Sequence, residues 1–113
     1  MGRQAAVLIS ICLAAPAAAE DWRPLTGEAL ADALTGQTLI YDPDEQIFFE
    51  NGRTRYRVFR DRWGWWELRE GRYCSLWPPA EIWDCYDTEI TPDGTRLRFT
   101  SAEGIVTEGR FAE

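Results

Sequence analysis

From Gln37 to Phe111 the sequence is cut by turn signals every 6–12 residues, and that spacing limits the chain to short strands. Pro43-Asp44, Asn51-Gly52, Glu70-Gly71 and Thr91-Pro92-Asp93-Gly94 all carry residues that favour or enforce turn geometry. Residues 101–104 form a further turn, and Trp77-Pro78-Pro79-Ala80 reads as an irregular loop. Between these signals lie eight segments of strand length, at about 37–42, 46–50, 54–60, 64–69, 72–76, 83–90, 95–100 and 105–111. Strands joined this closely pair antiparallel, as a meander. Eight of them close into a small barrel or half-barrel, with a β-sandwich as the alternative.

Pairing the segments sorts their residues onto two faces. With Asp61-Arg62-Trp63 as a hairpin loop, Val58 faces Trp66 and Tyr56 faces Leu68. The Glu70-Gly71 turn sets Leu68 opposite Tyr73, and the turn at 91–94 sets Tyr86 opposite Phe99, Thr88 opposite Leu97 and Ile90 opposite Thr95. The resulting inner set is Tyr56, Val58, Trp66, Leu68, Tyr73, Tyr86, Ile90, Leu97 and Phe99. The outer face receives the ion pairs Asp87–Arg98, Glu89–Arg96 and Arg57–Glu67, each worth at most about 1 kcal/mol. They serve as a check, because a slip by one residue would move every side chain to the wrong face. Cys74, Cys85, Phe59, Trp65, Leu76 and Trp83 also fall outside, and so much apolar surface calls for a cover.

One helix is available to supply it. Thr26 stands at the N-cap of a helix over Gly27–Leu34, with Leu25 and Leu30 placed as a hydrophobic staple. Gly36 suits the helix end. Ala29, Leu30, Ala33 and Leu34 form an apolar stripe at helical spacing, expected to cover the Trp65/Trp83 face.

The N-terminus has the three parts of a secretory signal: Arg3, the apolar run 5–13, and small residues 17–19 before Glu20. The apolar stretch 5–19 contains Pro16 and falls short of the roughly 20 residues that span a membrane. A retained anchor is the alternative. Cys12 follows the bulky Ile11, which does not suit lipidation, so it leaves with the signal. The domains are therefore a signal at 1–19 and a single β domain at 20–113. The protein is expected in a bacterial periplasm or outside the cell, with no membrane span after cleavage.

Cleavage leaves 94 residues, in which 11 arginines against 19 acidic residues give a charge of −8. A domain this small buries only about 60–68 % of its unfolded surface. Cys74 and Cys85 remain, and an exported chain with an even cysteine count reads as disulfide-bonded. Closing their 12-residue loop contributes about 3 kcal/mol. Their spacing is not the C-x-x-C of a redox pair.

The chain has no histidine, and all 12 cationic side chains are arginine. That removes imidazole bases and ligands, Ser-His-Asp and Cys-His pairs, Schiff bases and the P-loop. The expected function is non-catalytic; chemistry on carboxylates, Tyr, Ser/Thr or Arg is the one route left to an enzyme. No cofactor and no metal site are expected. Asp42-Pro43-Asp44-Glu45 breaks the calcium-loop pattern at Gln46 and reads as a solvated turn. Asp84, inward beside Tyr86, is the acid to watch among Glu81, Asp84 and Asp87, since a glycosidase needs two carboxylates in a cleft.

Arg53, Arg55 and Arg57 alternate along one strand, followed by Arg60 and Arg62, with Tyr56, Phe59 and Trp63 between. Such patterns bind single-stranded nucleic acid. The acidic balance, the exported compartment and Glu67 opposite Arg57 oppose that, so no nucleic acid is expected. Most of the tryptophans in so small a domain should be core, with Trp77 beside Pro78-Pro79 the expected exception. The candidate binding surface is Trp65, Trp77, Trp83, Phe59, Arg55 and Arg57.

The segments Gly64-Trp65-Trp66-Glu67, Gly71-Arg72-Tyr73-Cys74-Ser75-Leu76-Trp77-Pro78 and Cys85-Tyr86, with Asn51-Gly52 and Asp93-Gly94, resemble a family of small secreted proteobacterial domains of unknown function. The resemblance covers about residues 25–109. It implies export, the disulfide and a β-rich fold, and transfers no functional residue. Periplasmic lysozyme-inhibitor barrels are similar at the level of fold alone. The expected function is binding of a protein partner or ligand through an aromatic and charged surface. The alternatives are a lipocalin-like carrier of a small ligand, or an inhibitor of a cationic hydrolase such as lysozyme. The sequence leaves the oligomeric state open.

Overall fold

The computed structural model describes residues 21–113, so the signal expected at 1–19 lies outside the described residues. The elements are β1 (Arg23–Pro24), α1 (Gly27–Leu34), β2 (Thr38–Ile40), β3 (Glu45–Phe48), β4 (Arg53–Arg57), β5 (Asp61–Arg69), β6 (Arg72–Leu76), β7 (Asp84–Ile90), β8 (Arg96–Thr100) and β9 (Val106–Phe111). Strands β2 to β9 pair antiparallel in chain order, and β2 closes on β9 through Leu39↔Phe111 and Ile40↔Arg110. The result is an eight-stranded, closed, up-and-down barrel, which leaves its strands no free edge. The ninth strand, β1, pairs Arg23↔Ile90 and Pro24↔Glu89 along β7, beyond the point where β6 turns away.

Period-two alternation produces the two faces. Thr54 and Tyr56 point inward from β4 while Arg53, Arg55 and Arg57 point out, and Trp66 points inward between Trp65 and Glu67. Leu39, Phe48, Trp66, Tyr73, Leu97 and Phe99 form the buried core with Leu30 and Leu34 of α1. Glu70 and Gly71, both at positive φ, make the tight turn that sets Leu68↔Tyr73.

The helix has the expected bounds but a different role. Leu30 and Leu34 are fully buried in the barrel core, not laid over Trp65 and Trp83. The Gly27 amide donates to the Gly71 carbonyl and the Gly36 amide to Phe48, so α1 crosses one end of the barrel as a plug. Thr26 takes the N-cap position in extended conformation without a side-chain cap bond.

Two hairpin registers differ from the sequence reading. Asp61-Arg62-Trp63 belongs to β5, and the loop is at 58–60, so Tyr56 faces Arg62 and Arg57 faces Asp61. Between β7 and β8, Thr88 faces Phe99 and Ile90 faces Leu97, two residues from the expected register. Both slips are even, so the faces survive and only the partners change. Glu89 pairs with Arg98 at 2.7 Å, Asp87 with Arg72 at 3.2 Å, Arg57 with Asp61 at 3.3 Å and Glu67 with Arg69 at 2.6 Å. Val58 falls in the loop and is exposed.

Cys74 and Cys85 lie directly opposite on β6 and β7 and form the disulfide. A disulfide fits an oxidising, extracytoplasmic compartment. Among the described residues no helix is long and apolar enough to cross a membrane.

Candidate functional site

With α1 across one end, the other end of the barrel is the mouth, ringed by the loops at 41–44, 58–60, 77–83 and 101–105. A cavity of about 220 Å³ opens there. Its wall holds all four tyrosines of the chain, Tyr41, Tyr56, Tyr73 and Tyr86, together with Trp77 and Phe99. Gln46, Ser75 and Thr107 supply further polar atoms, and Val58 and Arg62 stand at the rim.

The tyrosines are arranged as two stacks. Tyr41 and Tyr56 lie with ring centroids 5.8 Å apart and planes within 16°, and Tyr73 and Tyr86 at 5.5 Å and 28°. Gln46, 4 % exposed, joins the stacks. Its Oε1 accepts from the Tyr41 hydroxyl at 2.8 Å, and its Nε2 donates to Thr54 at 3.0 Å and to the Tyr73 hydroxyl at 3.1 Å. Thr54 in turn donates to the Ile47 carbonyl at 2.8 Å. Each polar atom of the Gln46 amide therefore has a partner, which removes the cost of burying it.

Two strand glycines make room for the rings. A Cβ on Gly64 would lie 2.6 Å from both the Leu76 carbonyl oxygen and the Trp77 ring, and one on Gly109 would lie 2.8 Å from the Tyr41 ring. Glycine inside a strand here marks close approach of a packed group. The Trp77 indole donates to Ser75 Oγ at 3.1 Å and meets Tyr56 edge to face at 6.1 Å.

Burial pushes the Tyr73 hydroxyl up to about 12, with Ser75 and Gln46 pulling the other way. Burial also holds Tyr41 well above its ordinary value. Tyr56 is raised by burial and by Asp44, which accepts its hydroxyl proton at 3.2 Å, against the pull of Arg62. Tyr86 is raised by burial and by Asp84, with a smaller contribution from Glu103. All four tyrosines are thus neutral hydroxyls at neutral pH, able to donate and accept but not to act as bases.

The six candidate surface residues do not form one surface. Trp77 faces into the cavity, and Phe59 is fully exposed at the tip of the 58–60 loop. Trp65, Arg55 and Arg57 lie on the outer face of β4 and β5, where Arg53 sits 5.0 Å from the Trp63 centroid and 4.6 Å from that of Trp65. Trp83 is elsewhere, 4.3 Å from the Arg69 guanidinium. Arg55 also lies 5.8 Å from Trp63, and Arg57 is engaged by Asp61 and Glu45.

The tryptophans are not chiefly core. Trp66 alone of the six is buried, whereas Trp22, Trp63, Trp65, Trp77 and Trp83 each carry an arginine against the ring. A planar guanidinium stacks on an indole as a compact ammonium does not, which gives the all-arginine composition a structural use.

Sequence reasoning places Tyr56, Tyr73 and Tyr86 inside the barrel as packing residues and Trp77 on an exposed surface, and misses Gln46, Tyr41 and Ser75. A glutamine two residues before Phe48 on the same strand face was the available signal, since a polar side chain at an inner position needs buried partners. Asp84 is exposed, in line with Ser75 on the neighbouring strand. Among the described residues no group of three or more His, Cys, Asp or Glu side chains is placed to hold a metal. Comparison with family models, curated proteins and solved structures returned no match.

Proposed function

We propose that this is an exported, non-catalytic binding domain that takes a small ligand in the mouth of its barrel. One observation carries the reading: every tyrosine of the chain lines a single cavity open to solvent. A largely apolar wall with a few fixed polar groups is the usual make-up of a ligand pocket. The volume suits a ligand smaller than a typical drug, for which pockets run from about 300 Å³ upward. The signal-like N-terminus and the disulfide support export, and the absence of histidine and lysine supports binding without chemistry.

The test is thermal unfolding of the disulfide-bonded protein against a panel of small amines, carboxylates, sugars and neutral aromatics. At least one class should raise Tm in a saturable way, and Thr107→Phe, which fills the cavity, should abolish the shift. A panel without any saturable shift would defeat the reading.

A second reading rests on the outer face, where Trp63 and Trp65 are 44 % and 42 % exposed around Arg53. Exposed tryptophans and arginines are enriched at protein interfaces. The charge of −8 after cleavage would steer a cationic protein partner, a cationic hydrolase included. Salt-sensitive binding of such a protein, lost in Trp65→Ser and kept in Thr107→Phe, would favour this face over the mouth.

A further inference from the structure

We infer that the mouth of the barrel is an aromatic cage for a small organic cation of the alkylammonium or quaternary ammonium class. The inference rests on the small-ligand reading above and specifies its ligand. Six of the eleven residues lining the cavity are aromatic. Ring faces carry negative charge density, and several of them around one space form the arrangement that recognises a cation too weakly hydrated to stay in water.

The surrounding charges agree. Asp44 accepts a hydrogen bond from Tyr56, and Asp84 and Glu103 lie close enough to Tyr86 to raise its pKa. Acidic groups beside a low-dielectric cavity concentrate cations there. An anion would meet the carboxylates and the ring faces as repulsion, with Arg62 alone to attract it.

Arg62 already holds a cation against this wall. It is the one charged residue in the lining, and its guanidinium lies 5.3 Å from the Trp77 centroid. Among the described residues it has no carboxylate in ion-pair range; the indole face is what receives its charge. The protein's own side chain therefore occupies part of the cage, and a ligand cation would compete with it. About 220 Å³, roughly seven water volumes, admits a trimethylammonium group on a short chain.

The experiment is calorimetric titration of the disulfide-bonded protein with choline, with its uncharged isostere 3,3-dimethyl-1-butanol, and with benzoate. Choline should bind at least tenfold more tightly than the isostere. Arg62→Gln, at an exposed position where folding is not at stake, should tighten choline binding several-fold. Trp77→Leu should weaken it at least tenfold, and circular dichroism of that variant establishes that the barrel is intact. Equal affinity for choline and the isostere would overturn cation recognition while leaving a small-ligand site. Benzoate binding lost in Arg62→Gln would overturn it as well, by making Arg62 an anion anchor. Failure of all three compounds, with no shift in the wider panel, would remove the small-ligand reading itself.

Discussion

Gln46 and Tyr73 stand 27 residues apart in the chain and meet in the barrel through a 3.1 Å hydrogen bond from the Gln46 amide to the Tyr73 hydroxyl. The same amide reaches Tyr41 and Thr54, so one side chain ties three strands and both tyrosine stacks together. Gln46→Leu keeps most of the volume and removes every one of these partners. It should destabilise the protein by about 2–3 kcal/mol, since each buried polar group left unpaired costs about 1–3 kcal/mol. Urea unfolding under non-reducing conditions measures this, and a loss below 0.5 kcal/mol, taken as roughly the noise of surface substitutions, would deny the hub role.

Gly64 is the seat of Trp77. Gly64→Ala should cost about 1–3 kcal/mol through overpacking against the Leu76 carbonyl. It should also displace the indole and weaken ligand binding at the mouth. Gly109→Ala presses on the Tyr41 ring instead, and the milder contact predicts a smaller loss. Unfolding curves of the two variants, compared with ligand affinity, separate packing from site geometry.

Stability should fall in alkali. Tyr73 ionises in the unfolded chain near pH 10 and in the folded barrel near 12. Above pH 10 the unfolded state releases this proton and the folded state keeps it, so the unfolded state gains. The contribution is fully present below about pH 10 and is lost as pH rises to about 12; two pH units correspond to about 2–3 kcal/mol. Tyr41, Tyr56 and Tyr86 are raised too and act in the same direction. Urea unfolding between pH 8 and pH 12 should show this decline, and Tyr73→Phe should make it shallower.

Leu30 closes the far end of the barrel. Leu30→Ala should destabilise by about 2–5 kcal/mol, because it opens a space in a fully buried cluster. Ligand affinity at the mouth should stay unchanged, since α1 contributes no residue to that cavity. A parallel loss of affinity would show that the two ends are coupled.

Removal of the disulfide by Cys74→Ala with Cys85→Ala should cost about 3 kcal/mol, the value for a loop of this length. The two strands pair on both sides of the bridge, at Tyr73↔Tyr86 and Ser75↔Asp84, so the barrel should persist in the variant. Far-ultraviolet circular dichroism checks the fold, and urea unfolding checks the loss.

Much of this architecture is legible in the chain. Turn residues delimit the strands, alternation sorts side chains between faces, and Arg72–Leu76 and Gly27–Leu34 appear with the bounds read from sequence. Register was legible only in part. Alternation has a period of two, so it rejects a slip of one residue and is blind to a slip of two or six. That is why Trp66, Tyr73, Leu97 and Phe99 were placed inside correctly while Tyr56 was given Leu68 in place of Arg62, and Glu89 was given Arg96 in place of Arg98.

The sequence alone determined a lysine-free and histidine-free β meander with a single possible disulfide in its β domain, because composition, turn chemistry and cysteine count are local properties. Which apolar surface the helix covers depends on long-range packing, because its stripe could bury against either face of the sheet. By plugging one end with Leu30 and Leu34, the helix leaves the other open. Closure of β2 on β9 then brings Tyr41 to Tyr56, Tyr73 and Tyr86, and a cavity that no short window of the sequence contains comes into being.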